Sequence, residues 1–335
     1  MLETLWRGMA ILYTSDSEKT IAKNIGTQIS SYGVPIVIGS IKSFDIDNLL
    51  KCYDALIFIS PIGVAVRTLC GKLVHKSIDP PVIVVDPSGR FVIPVIGAHW
   101  GANEIALELS RILKLEPVIT TASDSRGITS IEQLARILHC HIENIDDAQI
   151  LDSALLRGEE ICVYGIDSMP SIVRGKYIVD GGKCRYIFFV RSKNSDIDID
   201  LENTRIVWCK PYTISIGVGA HNDTDANEVA IAIREALDEV NIDLSSIKCI
   251  VSIKPIVKEV ANILGVPFKL VKLDEINSID DICLTPPSPN IVKYGFRGVA
   301  EACAIYGCSG KAHLIFRKRV FRRNVTIAMA SCRDH

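Results

Sequence analysis

The chain has 335 residues, 48% of them apolar and 23% charged, with a formal net charge of −2. That composition excludes a disordered chain, and the near-neutral balance provides no overall field to attract nucleic acid or an anionic membrane. A chain this long divides into two or three domains, because single cores stop growing below this size.

The opening segment MLETLWRGMAILYTSD has no long apolar stretch before a small-residue cleavage site, so it does not read as a signal peptide. No run of about 18 apolar residues occurs, and a membrane span is not expected. The eleven cysteines are scattered, with no Cys-x-x-Cys. This predicts buried thiols in a reducing cytoplasm and no disulfides. His139-Cys140-His141 is too tightly spaced to form a zinc site alone, and no metal site is expected.

From residue 1 to 144 strands and helices alternate. GMAILYTS (8–15) is a strand, and Ile21, Ile25 and Ile29 set a helical period over 18–31. PIVIGS (35–40) follows, with a short helix around Leu49 and Leu50. DALIFIS (54–60) is nearly all apolar, as a strand covered on both faces should be. Pro61 then suits the first turn of a helix running to about Leu73. PPVIVVD and RFVIPVIG flank Pro87-Ser88-Gly89, a hairpin signal. The 102–115 segment is an amphipathic helix, PVITTAS a strand, and 129–140 a helix. The order predicts a Rossmann-like, mostly parallel sheet. The middle, 145–210, is less regular: a helix (147–157), then ICVYGID, RYIFFV and RIVWCK with glycines between them, a small α+β domain. From 211 to 335 the βα rhythm returns as an α/β domain: TISIGVG, a helix over 224–240, IKCIVSI, KPIVKEVANILG, VPFKLVK, the loop at Thr285–Pro289, the helix GVAEACAIYG, and a final strand–turn–strand.

Three turns place glycine after a strand and before a helix, where open α/β sheets bind ligands. Gly63 precedes Arg67 by one turn; Gly97 and Gly101 bracket His99, with Asn103 beyond; Gly217 and Gly219 precede His221. Helix N-termini at such turns favour anions. GVGAHN lacks the third glycine of a dinucleotide fingerprint, which counts against a nucleotide-dependent oxidoreductase. GCSGK (307–311) is too short for a P-loop, DIDIDLE (196–202) fails as a calcium loop, and no Gly-x-Ser-x-Gly elbow occurs. RKRVFRR (317–323) reads as a solvated hairpin or as a clamp for a polyanionic small molecule.

The blocks SPIGVAVR, HKSIDPPVIVVDPSGRFVIPVIGAHWGANEIA and PVITTASD closely resemble the N-terminal part of the cobalamin biosynthesis protein G (CbiG) family. TISIGVGAHNDTDANEVAIAIREAL, Lys254 before a helix, and GVAEACAIYG…KAHLIFRKRVFRRNVTIAMA resemble its C-terminal domain. The resemblance implies a cobalt-precorrin-5A hydrolase, which opens the ring-A δ-lactone and expels the former meso carbon with its methyl group as acetaldehyde, giving cobalt-precorrin-5B. It implies a cobalt-corrinoid substrate, no cofactor beyond the cobalt which that substrate carries, and a neighbouring corrin-pathway methyltransferase as a further partner. Two blocks depart from the family pattern. A single glycine, Gly101, stands where the family has a pair, and Ala220, His221 and Asn222 replace its Cys-Arg-Arg. The departures leave a non-catalytic corrinoid-binding homologue as the alternative.

Lactone hydrolysis needs a base near neutral pKa and oxyanion donors. His99 is expected as the base, Glu301 as a second acid or base, and Gly101 and Asn103 as donors. Arg67, Lys76, Lys254 and Lys311 sit at matched positions suited to the substrate's carboxylate arms. Gly63, Gly97, Thr121, Gly217, Gly219 and His221 complete the expected binding set, all converging on one pocket.

Overall fold

The computed structural model describes residues 1–76, 78–120, 128–182, 184–191, 204–221, 223–286, 298–308 and 312–332, with the His99 side chain outside the described set. The described residues form three sheets of six, five and five strands. Among the described residues no helix is long and apolar enough to cross a membrane.

The first sheet is built from β1 (Met9–Tyr13), β2 (Ile36–Ser40), β3 (Ala55–Ile59), β4 (Val82–Val85), β5 (Phe91–Ile96) and the two-residue β6 (Glu116–Pro117), in the order β2-β1-β3-β4-β5-β6. Strands β1 to β4 run parallel, and every residue of β3 is buried, as its unbroken apolar run requires. Helix α1 (Asp16–Ser30) starts in a capping box between Ser15 and Glu18. Helix α2 (Ile46–Cys52) precedes β3. Helix α3 (Ile62–Leu69) stops at Leu69, short of the expected Leu73, where the chain turns through Cys70 and Gly71. The β4–β5 hairpin is present, and the Asp86 carboxylate accepts from the backbone N–H groups of Ser88, Arg90 and Phe91. Helix α4 (Ala102–Leu113) follows. Of the expected strand PVITTAS (117–123), residues 121–123 lie outside the described set.

The second sheet comprises β7 (Cys140–Ile142), β8 (Ile161–Tyr164), β9 (Tyr177–Val179), β10 (Tyr186–Val190) and β11 (Arg205–Pro211), mostly parallel, with β7 antiparallel at one edge. Helices α5 (Ile131–Ile137) and α6 (Ile145–Leu156) share its core. Residues 129–144, grouped with the first domain on sequence, therefore pack with the middle one. Residues 139–141 end in a strand and not in a helix.

The third sheet runs β14-β13-β12-β16-β15. It holds β12 (Thr213–Ala220), β13 (Ile247–Ser252), β14 (Phe268–Leu270), β15 (Ala312–Phe321) and β16 (Val325–Cys332). Helices α7 (Ala226–Val240), α8 (Val257–Leu264), α9 (Leu273–Asn277) and α10 (Val299–Gly307) pack around it. Helix α10 lies unusually close to β12. A Cβ on Gly217 would stand 1.8 Å from the Ala300 carbonyl, and one on Gly307 would stand 1.9 Å from Ser215 Oγ.

The cysteines correct the sequence reading. Eight of them form Cys52–Cys283, Cys140–Cys209, Cys162–Cys184 and Cys308–Cys332. Cys70, Cys249 and Cys303 are free. Scatter along the chain conceals pairing in space. Cys52 and Cys283 are 231 residues apart in sequence yet join the first domain to the third.

Candidate active site

A cavity of about 480 Å³ opens where all three domains meet. Trp6, Arg7 and Trp100 reach it from the first domain, Arg136 and His139 from the second, and His313 from the third. Its position follows from the N-terminal segment. Trp6 is only 3% exposed and packs into the core of the third domain, and its carbonyl accepts the Arg317 N–H of β15 at 3.0 Å. Arg7 is held by Asp54, its N–H at 2.6 Å from Oδ2 and its Nε at 2.8 Å from Oδ1. Its Nη1 lies 2.9 Å from His313 Nε2.

His139 forms one aromatic wall, stacked on Trp6 at 4.8 Å between ring centroids. It takes a left-handed backbone, φ 49°, and its ring is 2.6 Å from the Val240 carbonyl. That carbonyl can only accept, so Nε2 carries the proton. Burial pushes the imidazole down to about 4 against the weaker support of this hydrogen bond, so it is neutral at pH 7. Cys140 is tied to Cys209, and no cluster able to hold a metal occurs among the described residues.

Arg136 lies over the face of Trp100 at 6.0 Å, and Nη2 donates to Thr4 Oγ1 at 3.2 Å. Desolvation holds the guanidinium below its ordinary range. Among the described residues Nε has no hydrogen-bond partner and no carboxylate makes ion-pair contact with this cation, although the Asp54 charge supports it from a distance. Beside it, Glu132 borders the cavity and hydrogen-bonds to Asp152. Neither Glu132 Oε2 nor Asp152 Oδ2 has a donor elsewhere, so the two carboxyls share a proton. Burial first, and the Glu132 charge second, push Asp152 up to about 8, with Lys76 opposing from across the domain boundary.

The residues expected from sequence fall into separate groups. Gly97 (φ 82°) and Gly101 (φ 90°) bracket the 3-10 turn Ala98–Trp100, so His99 immediately precedes a cavity residue. A Cβ on Gly97 would meet Pro81 Cα at 2.6 Å, and one on Gly101 would meet Met1 Cε. Asn103 is buried in the first turn of α4. Because β5 runs against β4, this turn lies at the opposite edge of the sheet from Gly63, which follows β3. Arg67 and Lys76 are exposed.

In the third domain Gly219, His221 and Lys254 stand at the carboxyl edge of β12 and β13. The His221 N–H donates to the Asn324 carbonyl at 3.2 Å, and the Lys254 N–H to Ser252 Oγ at 3.1 Å. Gly217 is occupied by its packing on α10. Glu301 is 0% exposed and accepts from Thr285 N and Oγ1 at 2.8 and 2.7 Å and from Lys318 N at 3.1 Å. Thr121, Lys311 and the His99 side chain lie outside the described set. None of the other eleven expected residues lines the cavity.

The basic run is also largely spoken for. Arg317 is buried between domains, and Arg319 and Arg322 pair with Glu239 and Glu235 on α7. The cavity residues themselves carried no sequence signal. Trp6 and Arg136 are far apart in the chain and belong to no motif, Trp100 lies in the block around His99 but was not singled out there, and His139 drew attention only as a metal ligand.

Three family models cover the chain in order: Cobalamin synthesis G N-terminal over residues 45–124, the CbiG-like linker domain over 129–212, and Cobalamin synthesis G C-terminus over 214–330. A solved structure described as a putative cobalamin biosynthesis protein G homolog from Sulfolobus solfataricus is 35% identical, with a TM-score of 0.81 and 99% of each chain covered. A curated relative from Priestia megaterium, named cobalt-precorrin-5A hydrolase, is 28% identical over 96% of this chain and 87% of its own length. One of the same name from Salmonella typhimurium is 27% identical over 65% of this chain and 66% of its own.

Proposed function

Because the chain belongs to the cobalamin biosynthesis protein G family, we infer that it hydrolyses cobalt-precorrin-5A, opening the ring-A δ-lactone and releasing acetaldehyde. It is a hydrolase of cobalamin biosynthesis. The observation that carries this is the end-to-end match: all three domains align with a family structure at 35% identity, and a curated hydrolase matches over 96% of the chain.

Water adds to the lactone carbonyl and the ring C–O bond breaks, leaving a carboxylate arm and a hydroxyl on the former meso carbon. Loss of the hydroxyl proton then makes that carbon an aldehyde as its carbon–carbon bond to the macrocycle breaks, and the electron pair passes into the conjugated ring. Two proton transfers need a base. His99 is our candidate, on the grounds that its turn borders the interdomain cavity and falls in a block matched to the family. Cobalt arrives with the substrate, and no metal or cofactor of the protein's own is invoked. Lys76, two residues from the cavity residue Ile78, is proposed for a carboxylate arm that extends beyond the cavity, whereas Arg67, His221 and Lys254 stand at the far ends of their sheets from it; the corrin-pathway methyltransferase remains a proposed partner. The cytoplasm is the proposed compartment. The four disulfides, uncommon in reducing surroundings, are the feature that this location has to accommodate.

The test supplies cobalt-precorrin-5A anaerobically and reads acetaldehyde with alcohol dehydrogenase and NADH. Stoichiometric NADH oxidation is expected. Corrinoid binding with no acetaldehyde would leave a carrier and not an enzyme.

A further inference from the structure

A cation buried without an anion is costly, because desolvation is paid and no Coulombic partner repays it. Arg136 comes close to this: it is half-buried, and the nearest support for its charge is Asp54, which makes no ion-pair contact with it. It lines the interdomain cavity, stacks over Trp100, and has no carboxylate partner among the described residues. The neighbouring carboxyls do not serve it, since Glu132 is engaged with Asp152, and Asp54 is ion-paired to Arg7. Trp6 and His139 add a second flat apolar wall.

A cavity of about 480 Å³ is the size of a small-molecule pocket and falls well short of a whole tetrapyrrole with its arms. Ile78, which lines the cavity, is 63% exposed. An exposed apolar side chain beside a cationic, aromatic cavity fits a flat ligand that is apolar across its face and anionic along its edge.

We propose that Arg136 is the carboxylate-binding residue of this cavity, receiving one acidic arm of the macrocycle between the tryptophan walls while the rest of the ring lies against the exposed side chain of Ile78. This rests on the corrinoid reading above and adds the residue that selects for a free acid.

The test uses two probes on the full-length protein, followed by visible absorption: a cobalt corrinoid with free peripheral carboxylates, and the same ring with those carboxylates as methyl esters. The wild type should prefer the acid. In Arg136→Met the acid should bind about 30-fold more weakly or worse, and the ester as before, while the ligand-free melting temperature holds or rises. Arg136→Gln, which keeps a donor for Thr4, gives the same reading if the Met variant fails to fold. Equal acid preference in wild type and variant would overturn the proposal, as would a wild type indifferent to the two probes. The acetaldehyde assay separates this from the parent reading. Release of acetaldehyde with an unchanged acid preference sinks Arg136 alone; lost preference with no acetaldehyde from the wild type sinks the hydrolase alone.

Discussion

Arg317 Nη1 and Glu301 Oε1 lie 3.8 Å apart in the interface between the first and third domains, with side chains only 5% and 0% exposed. The guanidinium also donates to the carbonyls of Arg7, Cys52 and Cys283, and rests 4.4 Å over the Tyr53 ring. One residue of β15 thereby holds backbone from both domains, and Glu301 supplies the counter-charge.

This arrangement predicts that Glu301→Gln acts on stability before chemistry. Removing one partner from a buried pair leaves the other uncompensated and costs about 3–5 kcal/mol. Urea unfolding should show that loss, while the folded fraction keeps its turnover number. A variant of unchanged stability with turnover abolished would return Glu301 to the role of acid or base that its sequence position suggested.

For His99 the expectation is reversed. His99→Ala should lower acetaldehyde release by about 100-fold or more and leave corrinoid affinity nearly as it was. Full release from this variant would remove His99 as the base.

Thiol counting tests the disulfides. With Cys70, Cys249 and Cys303 free, the denatured, unreduced protein should titrate three thiols, and the reduced protein all eleven in the sequence. Opening Cys52–Cys283 alone, as Cys52→Ser, should cost about 2–5 kcal/mol, since that crosslink closes by far the longest loop. Eleven thiols before reduction would restore the fully reduced chain inferred from cysteine scatter.

What could be read from sequence was what depends on neighbours in the chain. The apolar run 54–60 gave a strand buried on both faces, the spacing of Ile21, Ile25 and Ile29 gave a helix, and Pro87–Gly89 gave the hairpin. The consequence of that hairpin was not carried through. By reversing β5 it sends Gly97 and His99 to the sheet edge opposite Gly63. The cavity was not legible, because Trp6, Trp100, Arg136 and His313 meet only after three domains have docked. Gly217 was misread for a related reason. A glycine after a strand suits a ligand, but here it admits α10, whose small residues lie more than 80 positions downstream.

His139 should make the protein acid-sensitive. Its folded-state pKa, about 4, lies below the ordinary 6.5, so between these values the unfolded chain binds a proton that the folded one does not. Stability falls as pH drops through that window, by about 3 kcal/mol for a shift of this size. His139→Asn, which tolerates the left-handed backbone, should flatten the dependence in melts from pH 7 to 4. An unchanged slope would mean the ring is not the group responsible.

The Glu132–Asp152 pair should work in the opposite direction. Asp152 is pushed up to about 8 from an ordinary 3.8, so between these values the folded protein holds a proton that the unfolded chain has lost. Stability therefore declines as pH rises through the window, and above it the pair carries two charges in a site that favours one. Asp152→Asn supplies the Glu132 carboxylate with a permanent amide donor in place of the shared proton. Near pH 4 the variant should match the wild type. By pH 8.5 it should be clearly the more stable of the two, and the gain should grow steadily between. Melts across that range, compared pairwise at each pH, check it. A variant that is less stable at every pH would show that the carboxyls are held by contacts other than the proton between them.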